Sequence, residues 1–467
     1  MSPVWSVDVW RAWSVTLKTK KSLVATCRQW RAWSIEFLFR HIRIFRIEDL
    51  KELLQVLQDS AKASKSKHGE NPVYKPYGLW VREVILHYTI PQDFSDLAAA
   101  SWLEHSNALS LYDESHKSLY DLISCCNYLT SFIYQPTQPN NRYGPVNVSG
   151  VILRLLPDAK IAELENLVLQ GITVLDTELT WIASLCPKLR SLTVSMPAPC
   201  DQRVSLPTVQ HLTILIPDDY ASRNREVTGK WNLPKLQTLE LMVADDLLSI
   251  FDYCYLPLIQ DHGEQLQRVA YLAQPEFYRA TSESHLIIPK IVAMCPNLTH
   301  LTYKVANKVV ALLEGHANLR IIGLSVCMEG IQVDPEDLQR HIIPLLNRTR
   351  FPQLKAISLA DWSNFFDMVT ERPVAYTRIP SVGVWEDILS KCREAGVALV
   401  DYKGVAVRLD ADEGDIDTGD SWDMESYVPS SEEEYLEDYE DYPEDNEEGV
   451  SSWSSTSEVD PNDNVLG

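Results

Sequence analysis

A short phrase recurs along this chain of 467 residues and constrains its fold more than any other feature. An apolar residue is followed by two variable positions, a second apolar residue, one variable position and a third apolar residue. The phrase is plainest in Cys186-Pro-Lys-Leu189-Arg-Ser-Leu192-Thr-Val194 and Cys295-Pro-Asn-Leu298-Thr-His-Leu301-Thr-Tyr303. Close relatives read Leu233-Pro-Lys-Leu236-Gln-Thr-Leu239-Glu-Leu241 and Leu206-Pro-Thr-Val209-Gln-His-Leu212-Thr-Ile214. Further copies are Leu319/Ile322/Leu324, Leu354/Ile357/Leu359 and Leu164/Leu167/Leu169, with weaker early copies at Leu129/Phe132/Tyr134 and Val81/Val84/Leu86. The phrase predicts a short strand whose alternate residues face one way, entered through a Pro-containing or polar turn. Such a strand buries one face only if the next unit stacks on it.

The nine copies span residues 81–359, at spacings of 48, 35, 25, 20, 27, 62, 21 and 35 residues. The shorter spacings match the length of a leucine-rich repeat, and the longer ones require insertions. Helix-compatible stretches lie between copies, for example 176–184 with Leu179, Ile182 and Ala183 on one side, and 335–346. The expected fold class is therefore α/β: an irregular leucine-rich-repeat solenoid of parallel strands with helices, over residues 77–409. Within it, 217–232 reads as an exposed loop. The stretch 244–290 reads as helical, from Leu247, Leu248, Phe251 and then Leu266, Val269, Leu272. Residues 60–76 read as a polar linker, and 385–392 with 397–400 as a closing helix and strand.

The formal charge is −23, but 22 acidic and no basic side chains lie from Asp410 onward, so residues 1–409 are close to neutral. Residues 410–467 are poor in aliphatic side chains and predict a disordered acidic tail. Its Ser430 and Ser431 precede three glutamates, as targets of an acid-directed kinase do. A near-neutral body argues against nucleic acid or anionic membrane as a partner, since both require surplus positive charge. No apolar run is long enough to span a bilayer. Residues 1–15 are broken by Asp8 and Arg11, with Lys18, Lys20 and Lys21 following, unlike a signal peptide. Nine scattered cysteines, several of them just before a strand phrase (Cys125, Cys126, Cys186, Cys295), suggest buried reduced thiols. The expected setting is cytoplasmic or nuclear, which makes the Asn147, Asn297 and Asn347 sequons chance matches.

Residues 1–59 differ from the rest. Leu23, Val24, Cys27 and Trp30 share one helical face, and Ile35, Leu38 and Phe39 follow before a strand-like His-Ile42-Arg-Ile44. Leu23-Val-Ala-Thr-Cys27-Arg-Gln-Trp30 and Leu38-Phe39-Arg-His-Ile42-Arg-Ile44 together resemble the second half of an F-box. With the repeats that follow, the chain resembles fungal F-box and leucine-rich-repeat proteins. Met1 to Thr16 carries neither the Leu-Pro-x-Glu-like opening nor the Ile/Leu-rich first helix of that family. Instead Trp10-Arg-Ala-Trp13-Ser14 returns as Trp30-Arg-Ala-Trp33-Ser34. The resemblance implies an F-box-like segment over 1–59 whose Leu23, Val24, Cys27, Trp30, Leu38 and Phe39 match the family's apolar positions. It also implies a Skp-type linker subunit and its cullin complex as partners, and a protein substrate held by the repeats. The other reading of the residues is a leucine-rich-repeat scaffold for protein–protein interaction without a ligase.

No catalytic constellation emerges. The sequence holds no Gly-rich phosphate loop, H-E-x-x-H or C-x-x-C pair, and Asp261-His262 is an isolated neighbour pair. The expectation is no enzyme activity, no metal and no cofactor. The repeat register offers a surface instead, because the residues alternating with the buried ones form a lane across the strands. It is small, polar and nearly neutral. Thr193, His211, Thr213, His300 and Thr302 are its candidate partner-binding residues, unless they are ordinary solvent-facing strand positions.

Overall fold

Each of the nine phrases forms a strand, and all of its apolar residues are at most 1% exposed. The computed structural model describes residues 28–66, 75–87, 117–135, 161–174, 176–195, 203–216, 231–243, 251–273, 283–305, 315–325, 335–359 and 382–400, with Ser22, Gly404, Ala406 and Val407. The chain divides into two units, 1–409 and 410–467, and every described residue belongs to the first.

Helix α1 (Arg28–Phe39) leads into β1 (His41–Ile44) and α2 (Ile47–Ser66). Next come β2 (Glu83–Leu86), α3 (residues 117–125), β3 (Ser131–Tyr134), β4 (Asn166–Thr173) and α4 (Asp176–Leu185). The middle of the chain holds β5 (Ser191–Ser195), β6 (Val204–Ser205), β7 (His211–Ile216), β8 (Trp231–Asn232) and β9 (Thr238–Val243). It continues with α5 (Leu256–His262), β10 (Arg268–Ala273), α6 (Ser284–Met294), β11 (His300–Lys304) and β12 (Ile321–Ser325). The last elements are α7 (Pro335–Leu345), β13 (Ala356–Leu359), α8 (Val382–Glu394) and β14 (Ala398–Val400).

Twelve of the strands form one parallel sheet in the order of the sequence, while β6 and β8 pair separately with each other. The register repeats from strand to strand. The second position runs Ile42, Val84, Phe132, Leu167, Leu192, Leu212, Leu239, Val269, Leu301, Ile322, Ile357, Leu399, and all twelve are buried. Leu119, Leu122 and Ile123 of α3, Leu179 and Ile182 of α4, and Ile287, Ile288 and Ile291 of α6 join this row in one continuous apolar core. The helices therefore cover the face on which the second and fourth strand positions lie. Among the described residues, no helix is long and apolar enough to cross a membrane.

The lead-in to nine of the sheet strands (β2 to β5, β7, β9 to β11 and β13) is a hydrogen-bonded turn. The N–H of the first apolar residue donates to the carbonyl three residues earlier, as from Leu189 to Cys186 (3.0 Å), Leu236 to Leu233 (3.1 Å) and Leu298 to Cys295 (3.1 Å). Proline in the second place presets φ for such a turn and needs no N–H partner. The residue opening the turn is buried, which explains Cys186 and Cys295: burial pushes both thiols up to about 12 and keeps them neutral. Before β10 the opener is Gly263, where a Cβ would run into the backbone carbonyl of Met294.

Each turn delivers the chain to a shared edge. The carbonyl of the residue preceding each strand accepts two N–H groups from the next unit, in an unbroken row from Arg40 to Arg320. Gln237, for instance, accepts from Gln267 (2.9 Å) and Arg268 (3.0 Å). These residues, Arg40, Arg82, Thr130, Glu165, Arg190, Gln210, Gln237, Gln267, Thr299, Arg320 and Lys355, form the entry edge of the sheet.

Three expectations change. The stretch 244–290 is not helical throughout, because β10 runs through it. Leu266, Val269 and Tyr271 are a further copy of the phrase, whereas Leu272 is half-exposed. The 62-residue gap thereby becomes spacings of 30 and 32. Residues 60–66, expected to begin a linker, are the last turns of α2. Finally, β1 belongs to the sheet: Phe39, Ile42 and Ile44 have the spacing of the phrase, and β1 pairs with β2 from His41 to Ile44. The expected exposed stretch 217–232 overlaps described residues only at Trp231, which is buried, and Asn232, which is exposed. A closing helix and strand are present as α8 and β14, and Val400 bridges to Ala406.

Candidate partner-binding face

The face opposite the helices carries the first and third strand positions. His211, Thr238, Arg268, His300 and Ile321 are consecutive neighbours in the first row. Thr193, Thr213, Glu240, Ala270, Thr302 and Gly323 are consecutive in the third. All five candidate lane residues therefore lie in two adjoining rows. His211 is exposed and the other four are half-buried. Thr213 donates to Glu240 Oε2 at 3.1 Å. Thr302 lies over Gly323, whose missing side chain makes room for it: a Cβ there would come within 2.6 Å of Thr302 Oγ1. Other positions of the expected lane are buried, among them Ile85, His87, Ser131, Ser195 and Leu215, so the accessible surface is narrower than simple alternation predicts.

The structure adds residues that the sequence reading passed over. With β10 in the sheet, Arg268 falls between Thr238 and His300. A groove of about 870 Å³ opens along the entry edge, from Gln210 before β7 to Gln353 before β13. Lys235, Arg268, His300 and Arg320 line it, and Glu264 is the sole acid among the lining residues. In the edge row from Arg190 to Lys355, three of seven residues are basic and none is acidic, so this edge is positive although the whole face is not.

The groove floor is held by side-chain amides of the turns. Gln265 Nε2 donates to the Leu233 carbonyl (2.7 Å), Asn297 Nδ2 to Glu264 (2.7 Å) and Asn318 Nδ2 to Pro296 (2.9 Å). Lys188 occupies the corresponding place in an earlier turn and pairs with Glu163 of the preceding one at 2.6 Å. Lys235 occupies it before β9 and makes no side-chain hydrogen bond or ion pair among the described residues. The Thr299 hydroxyl donates to the Gln267 carbonyl (2.9 Å), so at 2.8 Å from it His300 Nδ1 is the donor. Burial first, and then the charges of Arg268 and Arg320, hold the His300 imidazole below its ordinary value.

The Asp261-His262 pair is structural. His262 is buried, donates from Nε2 to the Trp231 carbonyl (2.9 Å) and accepts at Nδ1 from Gln265 (3.0 Å), while Asp261 is exposed. Among the described residues, no group of three or more His, Cys, Asp or Glu could hold a metal ion.

The residues matched to the F-box are distributed unevenly. Leu23, Val24 and Cys27 lie outside the described residues, and Trp30 is on α1. Leu38 packs against the core, and Phe39 is buried with its ring stacked on Tyr77 at 4.7 Å. Comparison with protein-family models and with curated proteins finds no match to this chain.

Proposed function

We propose that this chain is a non-catalytic adaptor of a cullin–RING ubiquitin ligase, with the segment around Leu23 to Phe39 binding a Skp-type linker. In this reading the strands are leucine-rich repeats forming a solenoid, and its uncovered face with the positive edge holds a protein substrate. The observation that carries the reading is the sheet itself: twelve parallel strands paired in sequence order, with one face left without helices among the described residues. Repeat proteins use such extended faces to bind partners. A pull-down with the Skp-type linker tests it, with Trp30→Ala and Leu38→Ala expected to weaken retention. A wild-type chain that fails to retain the linker overturns the ligase assignment.

A scaffold without a ligase is the second reading, and a specific observation favours it. Phe39 and Leu38, two of the six candidate linker contacts, direct apolar surface into the fold itself. Placing a charge at Thr213 and Thr302 together, as Thr213→Lys with Thr302→Lys, tests the face in either reading. A partner held there is expected to be lost from the purified chain.

A further inference from the structure

We propose that the groove along the entry edge of β9 to β12 binds an extended, carboxylate-rich peptide segment of a partner protein. This rests on the reading of the sheet as a protein-binding surface and assigns the chemistry of what binds. Lys235, Arg268 and Arg320 line the groove and make no ion pair or side-chain hydrogen bond among the described residues. Several cations elsewhere are engaged: Lys188 with Glu163, Lys290 with Asp252 and Lys391 with Asp387. Two of the groove cations also sit on a fixed frame, because the N–H groups of Arg268 and Arg320 donate to the ladder carbonyls of Gln237 and Thr299.

Spacing sets the form of the ligand. Arg268 and Arg320 belong to units two strands apart, about 10 Å at the usual strand separation, or about three residues of extended chain. The groove spans six strands, roughly 24 Å, enough for about seven extended residues. Gln237 and Gln267 on the same edge keep their side-chain amides unbonded among the described residues and can pair with a peptide backbone. The lining contains no Phe, Tyr or Trp ring on which a nucleic-acid base could stack. Burial first, and then the charges of Arg268 and Arg320, lower the affinity of His300 for protons.

The test is fluorescence anisotropy on the full chain with a labelled Glu-rich peptide, its Gln-for-Glu counterpart and a single-stranded oligonucleotide of equal length. The acidic peptide is expected to bind, more weakly at higher salt, and the Gln peptide is not. Arg268→Gln with Arg320→Gln is expected to cost about tenfold, the loss of two partly exposed ion pairs. Lys62→Gln on α2 changes nothing, and Glu264→Gln, which removes the acid of the lining, strengthens binding. Equal binding of the Gln peptide, undiminished binding by the arginine double variant, weaker binding by Glu264→Gln or a preference for the oligonucleotide would each overturn the proposal. A chain that retains the Skp-type linker yet ignores the acidic peptide overturns this assignment and leaves the adaptor reading standing. Peptide binding without linker retention does the reverse.

Discussion

The first four strands and those from β7 to β13 share one backbone plan, yet differ in how they treat several of their edge charges. In the first region, His41 lies 3.2 Å from Glu83, and Arg82 donates to the carbonyls of Leu79 (2.8 Å) and Val81 (3.2 Å) while resting on the Tyr128 ring. In the second, Lys235, Arg268 and Arg320 stand on an equally rigid edge without such partners among the described residues. The lesson is that a repeated frame fixes where a side chain is placed, and the neighbouring unit decides whether it is structural or available. Arginine at the same edge locks a turn in one unit and faces a groove in another.

If the two regions differ only at the edge, their cores must respond alike. Leu167→Ala in β4 and Leu239→Ala in β9 are each expected to cost about 2–5 kcal/mol, since both side chains are fully buried in the same row. Urea unfolding of the two variants checks this, and a large cost in only one would separate the regions. Gly323→Ala tests the later face, where a new Cβ meets Thr302, and about 1–3 kcal/mol of destabilisation is expected. Thr302→Ala in the same chain should recover part of that loss. At the edge the regions should diverge. Arg82→Ala is expected to lose about 1–2 kcal/mol with its carbonyl bonds and ring contact. Arg268→Ala and Arg320→Ala should stay within about 0.5 kcal/mol of the parent chain in thermal melts.

The smallest effect is electrostatic. By NMR titration His300 should gain its proton below the ordinary imidazole value of 6.5, and Arg268→Gln with Arg320→Gln should raise that midpoint only part of the way, because burial is the larger cause. His87 is held down too, by burial first and by Arg43. For both, the unfolded chain takes up protons before the folded one as pH falls. Their contribution is complete above about 6.5 and shrinks as pH drops below it. Urea midpoints on the two sides of that pH should differ less in His300→Gln than in the parent chain.

Much of this was legible because the turn and the strand leave separate marks. Where Pro stands second in the turn and aliphatic residues fill the three apolar places, as from Leu233 to Leu241, sequence alone places the strand and its register. β10 escaped because Gly263-Glu-Gln replaces the Pro turn, while Leu272 offers a false helical spacing. β1 escaped because its opening residue, Phe39, also ends a helix with a resemblance of its own. The charged groove was hidden for a related reason. It is built from the residues just before each strand, which alternation along a strand does not reach, and from Arg268 on the strand that was missed.

The register also disregards how much chain separates one phrase from the next. β2 and β3 are matched position for position, although their phrases begin 48 residues apart, as strictly as β5 and β7, whose phrases begin 20 apart. On chain length alone, closing the longer connection costs only about 0.8 kcal/mol more, since loop entropy grows logarithmically. The edge turns therefore act as clamps that make each unit indifferent to its neighbour's insertions. Such a chain can lengthen between units, and acquire new surface there, without disturbing the alignment of the strands on either side.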